Sequence, residues 1–403
     1  MMRSRAGELL RKPGQPPRAT FLELFFDLVF VFAFSRVSQG LVSDLTSNRR
    51  SALTAAGETL LLLLAFLMVW FATAWVTDLY DPKRPEIQLV VAGAMLGSLL
   101  MGVAVPYAFG GGGLAFAGAY VVIHIGRGLI LVPLLRGHEA QRRATGVLLW
   151  YAVGAVLWIA GAMVQDSPRG ALWASAIVIE YTGAMLFYPA PWIPGMRAQW
   201  PVVAEYLSER YRQFFIIALG ELILVAGVDY STKHYGNGAH TIAFLVSFAT
   251  TALLWRIYTY RVGQLLTVAI GGAAHPAGLI RRTLAAHLLM VVGIVAIAAG
   301  YGLVIDHPLG HTDPAWLTVI LGGPALFIVG RASFQRTVFG RISHTRFFGL
   351  LALAAFAPVM LVLPPLAAAT AAMAVLAGMA IADAVHDRRH PPPAPSPHAA
   401  GPS

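Results

Sequence analysis

The hydrophobic positions of the chain fall into long runs, each of about 17–25 residues, which is enough for a helix to cross a bilayer. Helix-breaking turns separate the runs, as at Asp81-Pro82, residues 110–113 and Ser167-Pro168. The pattern predicts an all-α, polytopic transmembrane helix bundle of about 12 spans. The predicted limits are 21–40, 52–77, 87–108, 112–134, 145–164, 170–188, 210–228, 241–262, 280–303, 315–333, 346–363 and 366–384.

The boundary between the last two runs is the least defined, because only Pro364 and Pro365 separate them. One kinked or re-entrant segment over 346–384 is the alternative to two short helices.

Lys and Arg are concentrated in every second loop. If the N-terminus is inside, the cytoplasmic loops and tails hold 22 of the 29 Lys and Arg residues, the outer loops hold four, and the spans hold three. Cytoplasmic loops of membrane proteins carry this excess of positive charge. The distribution therefore predicts that both termini are cytoplasmic.

Composition excludes several classes of protein. Hydrophobic residues make up 57% of the chain and charged residues 12%, which is too little charge to cover a soluble domain and too little polarity for a disordered one. With zero Cys, disulfides, thiolate metal sites and Cys nucleophiles are excluded. The net charge is +10, but most of the Lys and Arg residues that cause it lie between the predicted spans, so no nucleic-acid partner is expected. No phosphate-loop, serine-hydrolase or zinc-protease motif is present, so neither a cofactor nor an enzymatic activity is predicted.

The chain divides into five segments. The first apolar run contains Glu23 and Asp27 and lacks a small-residue cleavage pattern, so it is not expected to be a cleaved signal peptide. The C-terminal end is rich in Pro, Ala and Ser, which favours disorder. The segments are a basic cytoplasmic tail (1–20), a first six-helix half (21–188), a cytoplasmic linker (189–209), a second six-helix half (210–384) and a disordered cytoplasmic tail (385–403).

A weak internal repeat underlies the division into halves. Three pairs of segments match in order at nearly the same offset, and an even number of spans per half predicts two halves of the same orientation. The pairs are Glu23–Phe34 with Glu209–Glu221, Trp70–Trp75 with Trp255–Tyr260, and Gly126-Arg127 with Gly330-Arg331.

Two carboxylates stand on one turn at the start of the first span. Glu23 and Asp27 are four residues apart and share a helix face, so they repel each other unless one is protonated or a cation lies between them. That arrangement suits a proton relay or a cation site with oxygen ligands. The alternative is a pair at the inner membrane edge that a structural Arg neutralises.

Other ionisable side chains lie inside predicted spans, where each is expensive and needs a partner or a purpose. Glu221 follows Gly220, whose small size permits close helix approach, and a functional site and a structural pair are equally favoured there. Arg127 is a natural counter-charge, as is Arg256, although either could be an ion-pair staple or an interface anchor. The remaining candidates are Glu180, which is deep in span 6, and His124, which shares a face with Arg127.

Aromatic residues cluster at the inner ends of spans 2 and 8. An interfacial aromatic belt accounts for them. They are Trp70, Trp75, Trp255, Tyr258 and Tyr260.

The segment Phe21–Phe34 closely resembles a motif of the bacterial low temperature requirement protein A (LtrA) family, and Glu209-Arg210 with Gly220-Glu221 resembles that family's second motif. The resemblance covers about residues 18–385. It implies a multipass inner-membrane protein that is linked to growth at low temperature and has no settled biochemical activity. The chain departs from the family in its short outer loops and in the acidic cluster after span 2, which is reduced to Asp78 and Asp81.

Three functional hypotheses follow. The first is a transporter or channel, linked to protons or cations, whose polar path carries Glu23, Asp27 and Glu221; its partners are the lipid bilayer and a proton, cation or small solute. The second is a non-transporting membrane factor for cold adaptation or envelope integrity that binds lipid or a partner protein. The third is an intramembrane enzyme in which His124, Glu180 and Glu221 form an acid/base or metal set.

Overall fold

The computed structural model describes residues 5–11, 20–47, 51–190, 204–233, 235–259, 276–340 and 342–389. Within these ranges the regular structure is helical and contains no strand, which confirms the all-α prediction. In chain order the helices are α1 (Arg5–Leu9), α2 (Phe21–Ser47), α3 (Ala52–Leu79), α4 (Pro85–Ala104), α5 (Gly113–Leu134), α6 (Glu139–Met163), α7 (Asp166–Met185), α8 (Ala204–Lys233), α9 (Gly238–Thr259), α10 (Pro276–Asp306), α11 (Pro314–Ile320), α12 (Gly322–Phe339), α13 (His344–Met360) and α14 (Pro365–Arg389).

Every predicted span falls on a helix, and the short α11 and the longer α12 together occupy the tenth. Several helices continue past the predicted limits. The start of α8 at Ala204 lies inside the predicted linker, and α14 runs to Arg389, inside the predicted disordered tail. A helix satisfies its own backbone hydrogen bonds, so polar residues beyond the apolar run can extend it. The rest of that tail, 390–403, and most of the linker, 191–203, lie outside the described residues.

Nine helical stretches among the described residues are long and apolar enough to cross a membrane. The chain is therefore a multipass membrane protein. Three of the twelve predicted spans are not in this set: α2, which carries four charged residues, α7, and α13, which has 17 residues. The nine stretches are Ala52–Leu79, Pro85–Tyr107, Gly113–Leu134, Glu139–Met163, Glu209–Lys233, Gly238–Thr259, Arg281–Asp306, Pro314–Val338 and Pro365–His386.

Side-chain caps fix several helix starts. Ser51, Asp313 and Ser343 have extended backbones, and each accepts a hydrogen bond from a backbone N–H in the first turn that follows. At the other end of α12, Gly340 has φ 69°, a left-handed conformation that glycine adopts without strain and that stops the helix. Local sequence chemistry therefore sets these boundaries.

The most extensive helix contact among the described residues lies between α10 and α12. A Cβ built on Gly293 would lie 2.7 Å from the backbone nitrogen of Phe327, and one built on Gly330 would lie 2.9 Å from the carbonyl oxygen of Ala286. Small residues allow this kind of backbone-to-backbone packing in membranes.

Substitution of Gly293 by Ala should lower the free energy of unfolding by about 1–3 kcal/mol, because backbone atoms of α12 cannot rotate out of the way. The matched control is Gly227→Ala on α8, where no heavy atom lies within 4 Å of the added Cβ. Denaturant titration in mixed micelles measures both variants. Equal stability of the two variants would contradict the packing described for Gly293.

Helix α2 lies at the centre of the bundle. It contacts α3, α4, α8 and α10. Because α2 and α8 carry most of the family-motif residues, their contact brings the predicted carboxylates together with groups from distant parts of the chain.

Candidate functional site

Asp27 forms a buried ion pair with Arg210. The Asp27 carboxylate accepts two hydrogen bonds from the guanidinium, at 2.8 Å and 2.9 Å, and a third from Trp70 Nε1 at 2.8 Å. Asp27 and Arg210 are each 0% exposed. The Arg210 guanidinium also lies 5.6 Å from the Trp70 ring, which stacks on Phe214. The pair thus ties α2, α3 and α8 together.

Glu23, one turn earlier on α2, has different partners. Its carboxylate accepts hydrogen bonds from the backbone nitrogen of Thr20 at 2.6 Å and from the Thr20 hydroxyl at 2.8 Å. Glu23 is also buried. Arg210 therefore neutralises Asp27, as in the structural alternative for this carboxylate pair, while Glu23 helps to fix the first turn of the helix.

Glu221 lies at the same α2–α8 contact, farther into the bundle. The Ser38 hydroxyl lies 2.9 Å from Glu221 Oε1, and Oε2 has no hydrogen-bond partner among the described residues. Glu221 is 0% exposed and is residue 13 of the 25 in the stretch Glu209–Lys233. Asp27 with Arg210 and Ser38 with Glu221 are both 183 residues apart, so α2 and α8 run parallel and in register.

Gly220 does not have the predicted packing role. A Cβ built on it has no heavy atom within 4 Å among the described residues. Close approach in this fold is instead found at glycines such as Gly293 and Gly330, where a neighbouring helix backbone would meet the Cβ.

Glu180 on α7 lies in an aromatic pocket formed with α5 and α6. Tyr120 on α5 is hydrogen-bonded to one carboxylate oxygen, and Trp158 Nε1 on α6 donates to the other at 3.1 Å. The pocket depends on Gly154, because a Cβ there would lie 2.2 Å from Glu180 Oε1. Both oxygens are thus held by neutral groups.

His124 and Arg127 share a face of α5, as the spacing predicts. Arg127 Nη2 lies 2.9 Å from His124 Nδ1, and both side chains are buried. The His124 ring stacks on Tyr151 at a centroid distance of 4.0 Å, and Tyr151 shares a hydrogen bond with Tyr188. Neither His124 nor Arg127 forms an ion pair with a carboxylate among the described residues.

The aromatic belt predicted for spans 2 and 8 is only partly present. Trp255 is 51% exposed and Arg256 beside it is also exposed, so Arg256 is not placed among the buried carboxylates. Trp70 and Tyr258 are buried and bind Asp27 and His287. Polar partners, rather than the membrane interface, explain these two residues. Trp75 is also buried, and Tyr260 lies outside the described residues.

Four arginines that the sequence places in loops are buried in the bundle. Arg210 pairs with Asp27, and Arg346 pairs with Asp383 at 2.6 Å. Arg331 donates to the carbonyl oxygen of Ile257, and Arg169 binds carbonyls near the predicted outer end of α7. These side chains connect helices to one another. Fewer arginines are therefore available in loops to determine the topology than the sequence indicates.

The structure places Glu221 apart from Glu180 and His124, the other two residues of the proposed enzyme set. Glu221 contacts α2, whereas Glu180 contacts α5 and α6 and His124 lies on α5. Among the described residues no group of three or more His, Asp or Glu side chains has a metal-binding arrangement. A cavity of about 20 Å³ near Ser247, Thr250 and Tyr301 lies apart from these acids.

Several partners of the predicted residues had no signal in the sequence. Arg210 did have a signal: the internal repeat aligns Glu23 with Glu209, and Arg210 directly follows Glu209. Tyr120, Trp158 and Gly154 had none, since aromatic and glycine residues are frequent in every span.

Comparison with known proteins supports the family resemblance of the two motifs. The family model described as bacterial low temperature requirement A protein (LtrA) matches residues 18–381. An uncharacterized protein of Rhizobium meliloti (strain 1021) is 32% identical over 342 residues, which cover 84% of this chain and 82% of that protein. The matched region contains the Asp27–Arg210 pair, the Glu221 site and the Glu180 pocket. The chain therefore belongs to the bacterial low temperature requirement A (LtrA) family.

Proposed function

We propose that this protein is a proton- or cation-linked transporter or channel of the bacterial cytoplasmic membrane, and that Glu221 binds the coupling ion. The observation that carries the proposal is the position of Glu221. The carboxyl lies halfway along the apolar stretch Glu209–Lys233, is fully buried, forms no ion pair among the described residues and has one oxygen without a partner. Such groups mark ion pathways in membrane proteins.

An isolated carboxylate in this environment is unstable, so binding of a proton or a cation removes a large desolvation penalty. The neighbouring serines suit a proton. The Ser38 hydroxyl lies 2.9 Å from Glu221 Oε1 and 3.2 Å from the carbonyl oxygen of Ser35, but it has one hydrogen to donate. Ionised Glu221 accepts that hydrogen. Protonated Glu221 donates its own hydrogen to the Ser38 hydroxyl, and that hydroxyl then donates to the carbonyl oxygen of Ser35. Rotation of one hydroxyl thus satisfies both states.

A twelve-span bundle of two six-helix halves places this carboxyl where the halves meet. Helix pairs that contact each other in the first half have counterparts that contact each other in the second, which supports the repeat. Transporters built from repeats bind substrates and ions at the repeat interface near the bilayer midplane. The contacting pairs are α2–α3 with α8–α9, α2–α4 with α8–α10, α4–α5 with α10–α12, α5–α6 with α12–α13, α6–α7 with α13–α14, and α3–α7 with α9–α14.

The proposed path follows the α2–α8 contact. Glu23 and Asp27 lie within the first two turns of α2, and Ser38 lies about 16 Å farther along its axis. With the N-terminus inside, the Asp27–Arg210 pair occupies the cytoplasmic end and Glu221 the middle. Arg210 supplies the counter-charge that the sequence assigned to Arg127 and Arg256.

The orientation has a direct test, because the chain has no Cys and single cysteines can be labelled without background. Arg142→Cys follows four predicted spans and His311→Cys follows nine, and both positions are exposed. A membrane-impermeant maleimide on intact spheroplasts should label position 311 alone, and position 142 only after permeabilisation. The reverse pattern, or labelling of both positions from outside, would overturn the orientation.

Reconstitution tests the proposed activity. Vesicles that contain the purified protein and a pH-sensitive dye should dissipate an imposed pH gradient faster than protein-free vesicles, and parallel vesicles with Na⁺ or K⁺ gradients distinguish a proton from a cation. No flux of any of these ions, from protein shown to be folded, would count against transport.

A non-transporting membrane factor is the second candidate. The observation that favours it is the Asp27–Arg210–Trp70 cluster, in which both carboxylate oxygens are satisfied and three helices are braced. This function predicts that Glu221→Gln leaves complementation of cold growth intact, while changes at helix contacts such as Gly293 abolish it. A transport function predicts instead that Glu221→Gln abolishes complementation even though the helix contacts are unchanged.

A further inference from the structure

A small cavity lies among α9, α10, α14 and the junction between α11 and α12. Its volume is about 20 Å³, which is room for one water molecule or one dehydrated ion. Three side-chain hydroxyls line it, those of Ser247, Thr250 and Tyr301, and all three residues are buried. The other lining side chains that the structure describes are apolar, so the hydroxyls and the backbone are the polar partners available to a ligand.

The hydroxyl groups of this lining have already used their hydrogens. Ser247 and Thr250 each donate to the backbone carbonyl oxygen four residues earlier on α9, at 2.9 Å and 2.8 Å. Thr251 beside them donates to the carbonyl oxygen of Ser247 at 3.0 Å, so Tyr301 is the donor in its 3.0 Å hydrogen bond with Thr251. The three lining hydroxyls therefore have lone pairs left for a ligand but no hydrogen.

The junction between α11 and α12 adds a backbone acceptor. Ile320 and Pro324 both line the cavity, and Pro324 has no N–H, so it cannot donate the α-helical hydrogen bond to the Ile320 carbonyl oxygen. The backbone of α10 packs against the same turn, because a Cβ built on Gly300 would lie 3.4 Å from Ile320 Cα. In membrane transporters, carbonyl groups freed at interrupted helices coordinate cations.

We propose that this cavity binds a dehydrated monovalent metal cation, Na⁺ or K⁺, through the hydroxyl oxygens of α9 and α10 and the carbonyl oxygen of Ile320. A metal ion interacts with lone pairs alone, whereas a water molecule also has lone pairs that need donors, and this lining offers none. No carboxylate belongs to the lining that the structure describes, so a divalent cation is not expected. The site does not depend on the function proposed for Glu221.

Thermal unfolding of the nanodisc-embedded protein tests the site. Sodium chloride and potassium chloride are titrated separately at fixed pH in a buffer free of alkali ions, and N-methylglucamine chloride at the same concentrations controls for ionic strength and chloride. We expect a saturable rise in the unfolding temperature with Na⁺, K⁺ or both, and none with N-methylglucamine. A wild type without a saturable response would overturn the proposal and leave the cavity to a water molecule.

Two variants remove one acceptor each and should weaken the apparent affinity by about tenfold or more. Thr250→Val deletes a hydroxyl, and Pro324→Ala supplies the missing N–H to the Ile320 carbonyl oxygen. Alanine also favours a helix, so Pro324→Ala should not lower the unfolding temperature in the buffer without alkali ions. The matched control is Thr73→Val on α3, which deletes a buried hydroxyl that also donates to the carbonyl oxygen four residues earlier, and it should keep the response.

Glu221→Gln distinguishes this site from the proposed coupling site. The variant should keep the response, because Glu221 does not line the cavity. A response that is unchanged in both Thr250→Val and Pro324→Ala, or one that is lost in Glu221→Gln alone, would place the cation elsewhere and overturn the proposal.

Discussion

Replacement of Asp27 by Asn should destabilise the protein by about 3–5 kcal/mol, because it leaves the Arg210 cation buried without its counter-charge. The amide oxygen can still accept from Trp70 Nε1 and Arg210 Nη2, but the NH2 group cannot accept from Arg210 Nη1, so one hydrogen bond is lost together with the charge. Denaturant titration in mixed micelles measures the change in the free energy of unfolding. Arg210→Gln should have an effect of similar size, since it strands the carboxylate instead.

The matched control is Arg212→Gln, two residues along the same helix. Arg212 pairs with Glu209, but its side chain is 48% exposed, and exposed pairs contribute about 1 kcal/mol or less. The double variant Asp27→Asn with Arg210→Gln should be more stable than the sum of the single changes predicts, because neither charge is then stranded. A stable Asp27→Asn protein would show that the pair does not brace α2 against α8.

Glu221→Gln should reduce ion flux in reconstituted vesicles by about tenfold or more, because the amide cannot take up and release a proton. Its effect on stability should be the opposite of that at Asp27. The amide can bond to Ser38, and it removes a buried acid that has no ion-pair partner among the described residues, so the free energy of unfolding should be unchanged or higher.

Glu209→Gln provides the control for flux. It removes a carboxyl from the same helix, but one that is partly exposed and paired with Arg212. Its flux should stay close to that of the wild type. If Glu209→Gln lowers flux as much as Glu221→Gln does, the effect belongs to α8 as a whole and not to the buried carboxyl.

The helices could be predicted from the sequence because hydrophobic length and helix-breaking residues are local signals. The sequence could not predict which residues of neighbouring helices lie opposite each other. Arg210 looked like a loop charge beside the membrane, yet α8 begins at Ala204 and carries it into the bundle against Asp27. The same reason explains Arg331 and Arg346, which belong to helices whose partners are distant in the chain.

The sequence identified the buried ionisable residues, but it did not identify the side chains that contact them. An ionisable group within an apolar run is conspicuous, so Glu23, Asp27, Glu180 and Glu221 could all be selected. Their partners are serine, tyrosine and tryptophan side chains that many spans contain, and only the folded arrangement selects Ser38 for Glu221 or Trp158 for Glu180.

The central claim is that Glu221 exchanges a proton within the membrane, and infrared difference spectroscopy after a pH jump tests it most directly. The wild-type protein in lipid should show a carbonyl-stretch band of a protonated carboxylic acid that appears or disappears with pH, and Glu221→Gln should lack that band while Glu209→Gln keeps it. The same band in the wild type and in Glu221→Gln would contradict the claim.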